Sequence, residues 1–366
     1  MPLNNNRISS PFLLSFFIFS LPLCSLFSQE KLKKLLTKQQ ANKIRYLSSD
    51  GEFTYYQGHN GNLVLASNYE TKEIIKGDQN HQYFITEESS FVSAQKNSSK
   101  KILLEIIPDF YTNSHALKNH QIHTLILGES LSTPLGEGIR GQIHLKGRYI
   151  SYYRPSEKKI ILHDSASNKK EYSIQLQNKI NAYFTPSIVI PENNYLFYTD
   201  LNEKNQMGLL LFNLKDGKIN PVYKTTISGK KIEICLLNNL LILGEFPLPG
   251  VDSDSSIFSL DIEKEKDFSL LKKIYHSEKA DTGNLQCNSN LKEFYFIQNQ
   301  SSEKKKSYEL VRYDLQEEKV INLTNFEYTT NYFIMDGLVL VPFRQDYYIA
   351  RGSYETKDIS FSNKKK

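Results

Sequence analysis

The chain has 366 residues, with 45 Lys and Arg against 40 Asp and Glu, and a net charge of +5. That length implies about two domains unless the fold is a repeat or a closed all-β structure, while 39% hydrophobic residues exclude a disordered chain. So small a positive excess excludes strong electrostatic capture of nucleic acid, and 23 Tyr with 21 Phe and no Trp favours strands over helices.

Residues 1–28 have the three parts of a secretory signal. A short start carries Arg7, the apolar run Pro11 to Leu21 follows, and Ser28 precedes the polar Gln29-Glu30-Lys31. Export with cleavage after Ser28 is the expectation, so the mature chain keeps no membrane-spanning segment. Cys24 is where a bacterial lipid anchor would attach. The bulky Leu23 stands where such processing wants a small residue, so Cys24 is expected only to fill the apolar run. Residues 29–41 form a basic leader in which Lys31 to Lys38 has the pattern of one short amphipathic helix, with a mobile leader or a strand that caps the ring as the alternatives.

From residue 42 to 361 a rhythm of short strands repeats. It is clearest at Leu285-Gln286-Cys287, Phe294-Tyr295-Phe296-Ile297, Tyr308 to Tyr313 and Val320 to Leu323, with polar turns between. The second strand of the unit recurs at Phe53, Phe91, Tyr149, Tyr195, Leu240, Phe294 and Leu338, a mean spacing of about 48 residues that fits a four-stranded propeller blade. In the second unit this reading takes 91–94, 102–106 and 123–127 as strands two, three and four. In the seventh it takes Ile359-Ser360-Phe361 as the last strand. The fold expected is all-β, a single β-propeller of seven four-stranded blades over 42–361, with a basic tail at 362–366. A pair of β-sandwiches is the alternative, disfavoured because no Pro/Gly/Ser-rich linker divides the chain.

Two blades carry a more specific likeness. Ser48-Ser49-Asp50-Gly51 leading into Phe53-Thr54-Tyr55-Tyr56, and Tyr313-Asp314-Leu315 followed by Leu323-Thr324, resemble the TolB-type, WD-repeat-like propeller repeat. Ser49 stands where that family has Pro. The resemblance implies a bacterial periplasmic or surface-exposed binding scaffold and transfers no catalytic residue.

Chemistry-bearing motifs are scarce. Gly-x-Ser-x-Gly, a phosphate loop and His-Glu-x-x-His are all missing. His115, His120 and His123 cluster in a long insertion of the second unit and are expected in a polar surface loop, with no acidic partner. Asp252-Ser253-Asp254-Ser255-Ser256 has some likeness to a calcium loop, but Ile257 occupies the place of the turning Gly, so a solvated hairpin is expected. Cys235 and Cys287 are expected to be small buried hydrophobes rather than a bridge. Lys304-Lys305-Lys306 is expected to stay solvated. His144 and Asp336 are the isolated polar exceptions on the inner strands.

No catalytic, cofactor-binding or metal-binding residue is therefore assigned. The function expected is an exported, monomeric, non-enzymatic propeller that binds a protein or cell-envelope component. The alternative is a hydrolase or lyase with its site in the central channel.

Overall fold

The computed structural model describes most of residues 120–351 and, before them, 33–34, 44–47, 53–57, 61–67, 71–76, 82–85, 89–90 and 100–107. The signal segment, Cys24, His115, Asp336, Lys304 and the basic tail lie outside the described residues. Among the described residues there is no α-helix, and no helix long and apolar enough to cross a membrane.

The first strand, β1 (Lys33–Lys34), is remote from its neighbours in sequence. Sheet 1 then holds β2 (Ile44–Leu47), β3 (Phe53–Gln57), β4 (Leu63–Ser67) and β5 (Thr71–Ile75). Sheet 2 holds β6 (Gln82–Ile85), β7 (Ser89–Ser90), β8 (Lys100–Ile107), β9 (Gln121–Ile126) and β10 (Ser132–Glu137). Sheet 3 holds β11 (Ile139–His144), β12 (Tyr149–Arg154), β13 (Lys159–Asp164) and β14 (Lys170–Gln175). Sheet 4 holds β15 (Ile188–Val189), β16 (Tyr195–Leu201), β17 (Met207–Asn213) and β18 (Ile219–Lys224). Sheet 5 holds β19 (Lys230–Leu237), β20 (Leu240–Pro247), β21 (Ser255–Asp261) and β22 (Lys272–Ser277). Sheet 6 holds β23 (Gly283–Asn288), β24 (Glu293–Asn299), β25 (Tyr308–Asp314) and β26 (Lys319–Asn322). Sheet 7 holds β27 (Phe333–Met335), β28 (Leu338–Phe343) and β29 (Asp346–Arg351), with β1 paired antiparallel along β29.

Every sheet is antiparallel, and the sheets follow one another in chain order as a β-propeller requires. Each apolar run serves two interfaces. Phe294 and Phe296 pack toward sheet 5, whereas the alternate residues Tyr295 and Ile297 pack toward sheet 7. The strand period of two thus turns an uninterrupted apolar run into two buried faces. Equivalent clusters join sheets 1 and 2, 2 and 3, 3 and 4, and 4 and 5.

The turns explain one repeat signal. At the end of the third strand, Asp314, Asp261 and Asn213 each accept the backbone N–H of the residue two further on, which closes the hairpin to the fourth strand. Thr324 at the end of the Leu-Thr pair is buried and donates its hydroxyl to Glu309 at 2.5 Å.

Two expected strand assignments are corrected. In sheet 2, 100–107 is the second strand and 121–126 the third, and the outer strand is Ser132–Glu137. Pro134 disguises that strand in the sequence. A proline without an N–H is tolerated there because the strand is an edge, and its register shifts between Pro134 and Gly136. In sheet 7 the strand beside β29 is Lys33–Lys34, where a helix had been expected, while 359–361 lies outside the described residues.

Candidate functional site

One end of the sheets carries the hairpins between second and third strands together with the crossovers that lead from each sheet to the next. Several acidic side chains at this end tie neighbouring segments together. Glu105 on β8 hydrogen-bonds His120 Nδ1 at 2.9 Å and accepts the Arg140 N–H of sheet 3 at 2.8 Å. Asp200 on β16 accepts the Gln177 N–H at the start of the crossover from sheet 3 at 2.9 Å. Glu309 accepts hydroxyls from Thr324 and Ser307 and the Phe326 N–H. A buried carboxylate needs such donors, because leaving one unmatched costs more than the bond returns. His120 is therefore a buried partner of Glu105, not a surface-loop histidine; pairing across strands supplied the acid that the local sequence lacked.

Within sheet 5 the tie is ionic, and a tyrosine joins it from sheet 4. Lys230 at the start of β19 places its ammonium 2.9 Å from Glu245 Oε1 and 2.7 Å from Asp254 Oδ1. The Tyr223 hydroxyl donates to the other oxygen of Glu245. Burial alone would lower the Lys230 pKa, but the hydrogen bonds to Asp254 and Glu245 hold it above its usual value. Bonded to Lys230, Asp254 is held below the usual carboxylate range. The Asp252–Ser256 segment is thus anchored by a lysine. Among the described residues no group of three or more His, Cys, Asp or Glu gathers for a metal ion.

The inner strands carry two matched irregularities. In β11 the register shifts between Ile139 and Gln142, and in β23 between Gly283 and Gln286. Arg140 and Asn284 there have φ of 56° and 60°, left-handed values outside any tight turn. Each bulge is clamped by a carboxylate from the preceding sheet. Glu105 accepts the Arg140 N–H, and Glu233 on β19 accepts the Leu285 N–H at 2.7 Å. Asn284 then reaches Asn331 at 2.8 Å, before β27. His144, at the far end of β11, is half-buried and bonded to Ser151 at 2.7 Å; loss of solvent around the ring pushes its pKa down to about 3, so the ring is neutral.

Behind the second bulge, Cys235 and Cys287 form a disulfide between β19 and β23, with Cα atoms 5.6 Å apart. The expectation of two unbridged cysteines is corrected. The two strands are equivalent inner strands of consecutive sheets, so the cysteines lie opposite one another.

The crossover from sheet 5 to sheet 6 opens a polar cleft of about 470 Å³, lined by Ser277, Glu278, Lys279, Gln298, Asn299 and Gln300. Asp281 fixes it from beneath, accepting the Tyr275 hydroxyl at 2.7 Å and the Asn299 N–H at 2.8 Å. Tyr275 in turn accepts from Gln298 at 3.1 Å. Asp281 is 1% exposed, and burial raises its pKa from 3.8 to about 6 in spite of those two donors. The folded state therefore holds a proton that the unfolded chain releases between pH 4 and pH 6. The contribution is fully present at low pH and is lost as pH rises through that window, about 3 kcal/mol in total. Urea unfolding at several pH values should show this as a difference between the wild type and Asp281→Asn, which lacks the slope. Parallel pH curves for the two proteins would refute it.

No protein-family profile matches the chain, and no curated protein matches it in sequence. Solved structures do match in fold. An uncharacterized protein of Listeria monocytogenes EGD-e aligns with a TM-score of 0.54 at 9% identity, over 89% of this chain and 99% of that one. An oligogalacturonate lyase of Vibrio parahaemolyticus aligns at 0.52 and 9% identity, over 87% and 92%. TolB of Acinetobacter baumannii aligns at 0.42 and 10% identity, over 73% and 79%. These likenesses establish the propeller fold. At 9% identity they show the fold alone, and the TolB type of the repeat rests on the resemblance read from the sequence. They also correct one expectation: a fold shared with a lyase is compatible with catalysis, and the chain is not set apart from enzymes.

Proposed function

We propose that this chain is an exported propeller that binds a component of the bacterial cell envelope through the crossover end of its sheets. The observation that carries the reading is the cleft between sheets 5 and 6, whose lining is held in place from below by a buried carboxylate and a tyrosine. Rigid strands present loop residues there, the arrangement by which scaffolds display binding groups. Export is supported by the signal-like start and by the Cys235–Cys287 disulfide, because such bonds persist in oxidising compartments.

The test has two arms. The full chain expressed in a bacterium should fractionate outside the cytoplasm, and deletion of residues 2–28 should retain it inside. The purified chain from residue 29 should co-sediment with isolated cell envelopes in a saturable manner. Sedimentation no greater than that of an inert control protein would refute binding, and cytoplasmic retention of the full chain would refute export.

A further inference from the structure

We infer that the cleft between sheets 5 and 6 is a binding site for a neutral, hydroxyl-rich saccharide. This rests on the envelope-binding reading and names the chemistry of its ligand.

The first argument is the lining. All six residues are of polar type, and the apolar surface among them comes only from their stems, so no apolar side chain forms a pocket for the anchor that dominates protein interfaces. One carboxylate, Glu278, stands beside one ammonium, Lys279, which leaves the lining electrically balanced and gives an anionic polymer no net attraction. The cleft is open to solvent rather than enclosed, as suits a ligand that stays largely hydrated.

The second argument is the arrangement of the amides. Gln298 donates to Tyr275, Gln300 donates to Gln298 at 3.1 Å, and Asn322 on β26 donates to Gln300 at 3.3 Å. Asn299 is fixed separately, donating to the Ala280 carbonyl at 3.3 Å. Lys279 donates to the Ser301 carbonyl at 2.7 Å, which ties the crossover to the opposite hairpin. These bonds set the orientation of each amide before a ligand arrives, which lowers the ordering cost of binding. They leave a lone pair on the carbonyl of Gln298 and of Gln300, and a second N–H on Gln298. Alternating donors and acceptors match hydroxyl groups, each of which both donates and accepts. Glu278 adds a carboxylate able to accept from two neighbouring hydroxyls.

Titration calorimetry of the chain from residue 29 with maltotriose, triacetylchitotriose and trigalacturonate tests the inference. At least one of the two neutral sugars should bind saturably. Glu278→Ala and Gln300→Leu should each weaken it about tenfold or more, with unchanged melting temperature. Trigalacturonate should bind more weakly than that sugar. Absence of binding by both neutral sugars up to about 10 mM overturns the inference, as does binding indifferent to both substitutions or a preference for the anionic sugar. Envelope sedimentation that survives glycan digestion and is abolished by protease overturns it while leaving the envelope-binding reading intact. Loss of all envelope binding removes that broader reading instead.

Discussion

Replacing Lys230 by Met should lower the unfolding free energy by about 3–5 kcal/mol, the cost of leaving a buried charge without its partner. The side chains of Lys230 and Glu245 are each only 5% exposed, so water cannot take over when the ammonium is removed. Asp254 is 42% exposed and can rehydrate, which places most of the loss on Glu245. For a chain of this length the shift in melting temperature is roughly 4–7 °C. Urea unfolding of Lys230→Met beside Lys230→Met/Glu245→Leu distinguishes the mechanism. The double variant should recover much of the lost stability, because an apolar pair of similar volume removes the stranded carboxylate. A single variant within about 1 kcal/mol of wild type would mean that the pair is solvated and contributes little.

The second large effect concerns the bond between β19 and β23. Closing a loop over a sequence separation of 52 residues limits the unfolded chain, and in the chain-entropy account this stabilises by about 4 kcal/mol. Reduction with dithiothreitol, or the pair Cys235→Ala and Cys287→Ala, should shift the urea midpoint down accordingly. Thiol titration of the unfolded, unreduced chain from residue 29 gives an independent reading and should find no free thiol. Two reactive thiols in the protein from an oxidising compartment would refute the bridge.

The strands were legible because both of their faces are buried. A run such as Phe294 to Ile297 admits few other structures, and the polar hairpins around it mark its ends. Sheet 2 was read one strand out of phase because its edge strand contains Pro134 and Gly136, residues that argue against a strand everywhere except an edge. The disulfide does have a sequence signal. Cys235 and Cys287 precede Leu240 and Phe294, the second-strand marks of consecutive units, so they occupy comparable places in the repeat. The cleft left no comparable trace. Gln298, Asn299 and Gln300 read as ordinary hairpin residues, and only the crossover from sheet 5 sets Ser277, Glu278 and Lys279 beside them. The same holds for His120, whose acidic partner Glu105 is brought near by pairing of β8 with β9.

The pairing of Lys33–Lys34 with β29 bears on how the molecule is held. Whatever grips the first residues grips the protein by the outer rim of sheet 7. A chain cut after Ser28 would keep four residues, Gln29 to Leu32, before this strand, so its new N-terminus would lie within four residues of the outermost edge of sheet 7 and on the opposite side of that sheet from its inner strand.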